Sequence, residues 1–179
     1  MTTACDSRPV PDPSAWVQRH AGLLSAGAKI LDLAAGSGRH ARYFNDLGFR
    51  VTALDRDISG LQELVARGVE VLAADLEDGS PWPLGHRQFD GIVVTNYLHR
   101  PLFPRLAGAL APRGLLIYET FGHGNERFGK PSNPDFLLRP GELLEFAAEH
   151  GLQVLAYECG EVTDPRPAMI QRVVARRLK

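Results

Sequence analysis

Lys29-Ile30-Leu31-Asp32-Leu33-Ala34-Ala35-Gly36-Ser37-Gly38 decides the fold. An apolar run with one embedded acid reads as a buried strand, and the small residues after it read as a turn into a helix. That helix places Ala41, Phe44 and Leu47 on one side and is closed by Gly48. Working outward, Val51–Asp55 is a second strand. Ser59 with Gln62 three residues on has the form of a capping box opening a helix that Gly68 closes. Strands follow at 69–75 and 89–95, then a helix with Leu102, Leu106 and Leu110 on one side, then a strand at 114–120. A last helix at about 140–150 precedes two strand-like runs, 152–162 and 168–178. On the near side, Ser14 can cap a helix whose shared face holds Trp16, His20, Leu23 and Leu24. Between Asp75 and Phe89 the chain is too short and proline-rich for a helix, and a loop carrying Trp82 takes its place.

Strands alternating with helices imply a parallel sheet covered on both faces. The final two runs are linked only by Thr163-Asp164-Pro165-Arg166-Pro167. A parallel crossover needs a dozen residues or more, so this pair is expected to be antiparallel. The expectation is an α/β, doubly wound sheet of seven strands with a reversed last strand, one domain over 1–179 after a proline-rich tail at 1–13.

The chain has 179 residues, 20 basic and 21 acidic, giving a net charge of −1. That near-balance argues against global attraction to nucleic acid or an anionic membrane. The two cysteines, Cys5 and Cys159, are too far apart in sequence for a disulfide framework or a zinc cluster, and no metal site is expected. No run has the ~18 apolar residues of a membrane span, and no basic patch followed by an apolar stretch suggests a secretory signal. The expectation is a cytoplasmic protein; oligomeric state is not legible.

In such sheets ligands sit beyond the carboxyl ends of the strands, where the winding reverses. Three acids and a glycine loop fall there. Small residues at 34–38 let backbone approach a ligand, beside the free N–H groups of a helix start. Asp55, at the end of the second strand, can accept hydrogen bonds from both hydroxyls of a ribose. Asp75, ending the third, can accept from the exocyclic amine of an adenine. Two acids for a nucleoside, with a glycine loop for a charged tail, describe a nucleoside cofactor. Gly36-x-Gly38-x-x-Ala41 also meets the relaxed dinucleotide fingerprint, with Asp55 as its ribose acid, so an NAD-dependent oxidoreductase is the enzyme alternative. Asp32, Asp75 and the reversed last strand weigh against it.

The segments LDLAAGSGRHARYF, VTALDRD, AADLED, FDGIVVTNYLHR and LAGALAPRGLLIYET resemble the signature segments of class I S-adenosylmethionine-dependent methyltransferases, a Rossmann-like fold. The likeness is close over about residues 28–120, and within the family is strongest to small bacterial enzymes of the tellurite-resistance or thiopurine type. It implies S-adenosylmethionine as cofactor and methyl transfer to a small-molecule acceptor; the charge balance and the lack of an apolar span make nucleic acid an unexpected partner and a membrane no partner. It implies that Ala34, Gly36, Ser37 and Gly38 line the methionine moiety with Asp32 near its ammonium. By the same likeness Asp55 holds the ribose with Arg56 beside the adenine, Asp75 and the Leu76 backbone read the adenine edge, and Asn96 faces the methyl group.

The Asn/Asp-Pro-Pro-aromatic tetrapeptide of the family's amide and adenine methylases is absent; Thr95-Asn96-Tyr97-Leu98 stands there. Tyr97 and His99 are candidates to hold or deprotonate the acceptor. The loop 121–138, rich in glycine and polar groups, is expected to be a lid that supplies acceptor contacts through His123, Asn125 and Arg127. A non-catalytic cofactor-binding protein is the reading from another class. The basic run Arg172, Arg176, Arg177 and Lys179 suits either phosphate contact or the exposed side of an edge strand.

Overall fold

A computed structural model describes residues 11–179; residues 1–10, with Cys5 and most of the proline-rich tail, lie outside the described residues. Seven strands form one sheet in the order β3-β2-β1-β4-β5-β7-β6. They are β1 (Lys29–Leu33), β2 (Arg50–Asp55), β3 (Glu70–Ala73), β4 (Phe89–Thr95), β5 (Leu110–Phe121), β6 (Leu152–Val162) and β7 (Ala168–Arg177). β1 to β5 pair in parallel, and β7 is inserted antiparallel between β5 and β6. The short link at 163–167 forces that reversal, as expected.

Strand alternation sorts the core into two layers. Ile30, Val51, Ala53, Val93, Leu115, Ile117 and Val174 pack on one face against α1 (Ala15–His20), α2 (Arg39–Asp46) and α3 (Gln62–Val65). Leu31, Leu33, Leu54, Ile92, Val94, Leu116 and Val173 pack on the other against α4 (Phe103–Ala109) and α5 (Glu142–Glu149). The sheet is therefore doubly wound, with its winding reversing between β1 and β4.

Ser14 caps α1 as its sequence suggested, its hydroxyl accepting from the Trp16 N–H. The capping box at Ser59 does not form. The Asp57 carboxylate takes the Ser59 N–H instead, so the chain enters a 3-10 turn and α3 is short. Leu23 and Leu47, expected inward, are 46% and 53% exposed because their helices end beside them. β3 stops at Ala73, and β5 begins at Leu110, pairing back to Phe89 before Gly114. No helix intervenes between β3 and β4; Trp82 there packs against the core.

Candidate functional site

The carboxyl ends of β1, β2, β3 and β4 surround a cavity of about 430 Å³. Of the residues singled out in the sequence, Ala34, Asp55, Arg56, Asp75, Leu76, Asn96 and Tyr97 line it, joined by Ala74, Glu77 and Phe136. Each strand-end acid is aimed by its own turn: Asp55 Oδ1 accepts the Asp57 N–H at 2.9 Å and Asp75 Oδ1 accepts the Glu77 N–H at 2.9 Å. Ala34 and Asn96 hold φ of 54° and 55°, a left-handed backbone that side chains disfavour. Both stand at strand ends on the cavity wall, where such strain is commonly kept for function.

Gly36 and Ser37 are exposed and, with Gly38, do not line this cavity. The Gly36 N–H donates to Asp55 Oδ2 at 2.7 Å, and the Gly38 N–H to the Ala35 carbonyl at 2.9 Å. Gly38 is required by packing: φ is +76°, and a Cβ there would lie 2.6 Å from Leu61 Cδ2.

Asp32 lies beneath the loop. It is 1% exposed, and its Oδ2 accepts the Ala41 N–H at 2.8 Å, satisfying the start of α2. Burial raises its carboxyl to about 7, against the lowering effects of that hydrogen bond and of Arg39. Position 32 shares the face of Ile30 and turns toward α2, which is why its carboxylate meets the Ala41 N–H. Next to it, His40 is buried; burial and the Arg39 charge lower it to about 3, so it is neutral. Its Nε2 accepts the Ser14 N–H at 3.1 Å and its Nδ1 lies 3.4 Å from Thr95 Oγ1.

The Tyr97 hydroxyl is buried without a hydrogen-bond partner. Burial and the nearby Glu77, Asp75 and Asp55 carboxylates raise its pKa above the ordinary phenol value. His99 lines an adjoining cavity of about 400 Å³ with Asp75, Leu76, Glu77 and Trp82.

On the other side of Asn96 lies a second cavity of about 410 Å³. The segment 11–15, the tip of β5 and the β6–β7 hairpin build it. Phe121, Val162, Ala168 and Ile170 supply apolar surface, with Arg39, Glu119, Arg166 and Arg172 among the charges. Glu119 is held on both oxygens, accepting from Ser14 Oγ at 2.7 Å and pairing with Arg172 at 3.0 Å. The Arg172 guanidinium also sits 4.7 Å from the Trp16 ring centroid. These residues escaped sequence reasoning. One signal was available: a reversed β7 must begin at the ligand end of β5.

The loop 121–138 corrects an expectation. His123, Asn125 and Arg127 line neither cavity. Asn125 is buried, donating to the Pro131 carbonyl at 2.9 Å and accepting the Met169 N–H at 3.1 Å. Arg127 pairs with Glu161 at 2.6 Å on the surface. The backbone is tied down by Gly122 N–H to Met169 O and His123 N–H to Leu138 O. Only Phe136 of this loop reaches the first cavity.

Among the described residues no cluster of three or more His, Cys, Asp and Glu could hold a metal ion, and no helix is long and apolar enough to cross a membrane.

Residues 30–114, just under half of the chain, match the methyltransferase domain family. The chain is 38% identical over 101 residues to a protein-L-isoaspartate O-methyltransferase of Rhodopseudomonas palustris, covering 52% of this chain and 45% of that protein. It thus spans about half the length of the curated relatives it matches. Among solved structures it resembles TehB from Haemophilus influenzae, with a TM-score of 0.73 and 21% identity over 90% of this chain and 61% of that one. It also resembles the Burkholderia thailandensis 1,6-didemethyltoxoflavin-N1-methyltransferase bound to its namesake compound and S-adenosylhomocysteine. That TM-score is 0.68, with 23% identity over 92% of this chain and 77% of the other. At these identities the likeness is one of fold, and the fold is that of the S-adenosylmethionine-dependent methyltransferases.

Proposed function

We propose that this chain, which carries a methyltransferase domain at residues 30–114, transfers the methyl group of S-adenosylmethionine to a small-molecule acceptor. The observation that carries this reading is Asn96, which lines both cavities and so stands between a nucleoside-like site and a separate recess. In this reading the described residues act as one domain.

The first cavity fits the cofactor chemically. Asp55 offers acceptors to a ribose diol, and Asp75 with the Leu76 backbone reads an adenine edge, with Arg56 beside it. The lone Tyr97 hydroxyl provides a buried donor that a polar ligand would satisfy. Ala34, Asn96 and the glycine loop 36–38 would border the methionine portion, with Asp32 holding that loop from below. When bound, S-adenosylmethionine supplies a methyl group already activated on a sulfonium.

The residues of the chain then have mainly to position. Holding an acceptor in line can contribute about 7–11 kcal/mol. Asn96, strained at φ 55°, fixes the boundary across which the two ligands meet. Phe121, Val162 and Ile170 exclude water from the acceptor side, and Arg39, Glu119 and Arg166 orient polar groups of the acceptor. A recess of about 410 Å³ suits a small molecule better than a folded protein or a nucleic-acid strand. His99, in the adjoining cavity, stays a candidate for proton handling. The enzyme is read as cytoplasmic, and its near-neutral charge weighs against a membrane or nucleic-acid partner. The oxidoreductase alternative is not favoured, because a second acid reads the base and β7 is reversed.

Methyl-labelled S-adenosylmethionine, incubated with the protein and fractionated cell extract, tests the reading. Label should enter a compound that passes a small-solute filter, and Asp55→Ala should sharply reduce that at subsaturating donor. Label confined to isoaspartyl peptides or other macromolecules would contradict the small-molecule acceptor.

A further inference from the structure

The basic run at the chain's end is divided by the fold. Arg172 pairs with Glu119 and Glu158 at the ligand end of the sheet. Arg177 donates to the Leu110 and Lys179 carbonyls. Arg176 instead lines a cavity of about 440 Å³ at the opposite end, where the parallel strands begin, together with Arg50 and Arg113. Five residues of β1 separate this cavity, at Ala28, from the first cavity, at Ala34, or roughly 20 Å of strand.

Three features set this cavity apart from an ordinary basic surface. The Arg176 Nε is buried and has no hydrogen-bond partner. Arg113 adopts φ 65°, a left-handed conformation unfavourable for a side-chain-bearing residue. It is pinned there because Gly114 follows in a turn so tight that a Cβ would lie 2.7 Å from the Ala111 carbonyl. Arg50 spends only its Nε, on the Gly27 carbonyl at 3.0 Å, leaving its two terminal nitrogens for a ligand. None of the three takes part in an ion pair among the described residues. Asp90 in the wall already accepts the Lys29 N–H at 2.8 Å.

We propose that the cavity bounded by Arg50, Arg113 and Arg176 binds a small phosphorylated anion, at a site separate from methyl transfer. Guanidinium groups match phosphate oxygens in bidentate pairs. Three of them facing one carboxylate leave an excess charge that a single carboxylic acid would not balance, whereas a diphosphate would. The recess has the volume of a small-molecule site, and the chain's net charge of −1 offers no extended track for a nucleic acid.

Titration calorimetry of the whole chain with sodium pyrophosphate, at low ionic strength, tests the site. One saturable equivalent is expected. Arg113→Asn, in which asparagine tolerates the same left-handed backbone, and Arg50→Gln should each weaken it at least tenfold. Affinity for S-adenosylhomocysteine and the melting temperature should stay unchanged in both. Absence of saturation, or wild-type pyrophosphate affinity in folded Arg113→Asn and Arg50→Gln, would overturn the proposal. So would a short single-stranded oligonucleotide that occupies the same arginines and is not displaced by pyrophosphate. Because the measurement uses no methyl donor or acceptor, its failure leaves the proposed methyl transfer untouched, and the reverse also holds.

Discussion

The Asp55 carboxylate accepts the Gly36 N–H at 2.7 Å, so the acid ending β2 also fixes the loop leaving β1. One side chain therefore shapes the loop and faces the first cavity. Losing hydrogen bonds made by a charged group costs about 1.5–3 kcal/mol. Asp55→Ala is expected to weaken S-adenosylhomocysteine by about ten- to a hundredfold. Asp55→Asn, which keeps one acceptor for Gly36, should lose less. Equal affinity in wild type and a folded Asp55→Ala protein would remove this residue from the site.

Asp32 gives the fold a pH dependence of defined sign. Its carboxyl is raised to about 7 from an ordinary 3.8, so its contribution is fully present below about pH 4 and is lost as pH rises through 7. Asp32→Asn should flatten that decline, since an amide oxygen can still accept from Ala41. Thermal melts of both proteins between pH 5 and 8 decide it; parallel curves would mean that Asp32 is ionised at no penalty.

His40 acts in the opposite direction. Lowered to about 3 from 6.5, it supports the fold fully above about pH 6.5 and progressively less as pH falls toward 3. Protonation would also remove the Nε2 acceptor used by the Ser14 N–H. Nitrogen-15 NMR of the ring should show a neutral imidazole with no titration between pH 5 and 8. A midpoint near 6.5 would contradict its burial.

The loop 121–138 should behave as packed structure. Asn125→Ala strands the Met169 N–H and the Pro131 carbonyl, and is expected to cost about 1–3 kcal/mol of stability. Arg127→Ala removes a solvent-exposed pair with Glu161, worth about 0–1 kcal/mol, and a local hydrogen bond to the Gly124 carbonyl, and should leave turnover unchanged. Hydrogen exchange should find the amides of Gly122, His123 and Leu138 protected before any ligand is added. Rapid exchange there that slows only in a ternary complex would restore the lid.

Much of this fold is legible where apolar residues are dense. Lys29–Leu33 and Phe89–Thr95 fall where the sequence places them, since burial on both sheet faces leaves a nearly continuous apolar signature, and the last two strands are found by their strand-like runs on either side of a short link. The strand-end rule likewise leads to Asp55, Asp75 and Asn96, which line the first cavity. The burial of Asp32 follows from strand parity, which puts it on the face of Ile30, and not from its proximity to the glycines. The acceptor side was invisible for another reason. Ser14 and Glu119 meet across 105 positions of sequence, and no local periodicity encodes such a contact. The capping box at Ser59 failed because Asp57, two residues earlier, competes for the same N–H.

Calorimetry with S-adenosylhomocysteine and with NAD, run in parallel on the wild-type protein, tests the central claim most directly. The account predicts saturable binding of S-adenosylhomocysteine that adds about 2.7 kcal/mol of stability at 100 times its dissociation constant, with no response to NAD. Micromolar binding of NAD, with S-adenosylhomocysteine inert, would contradict it.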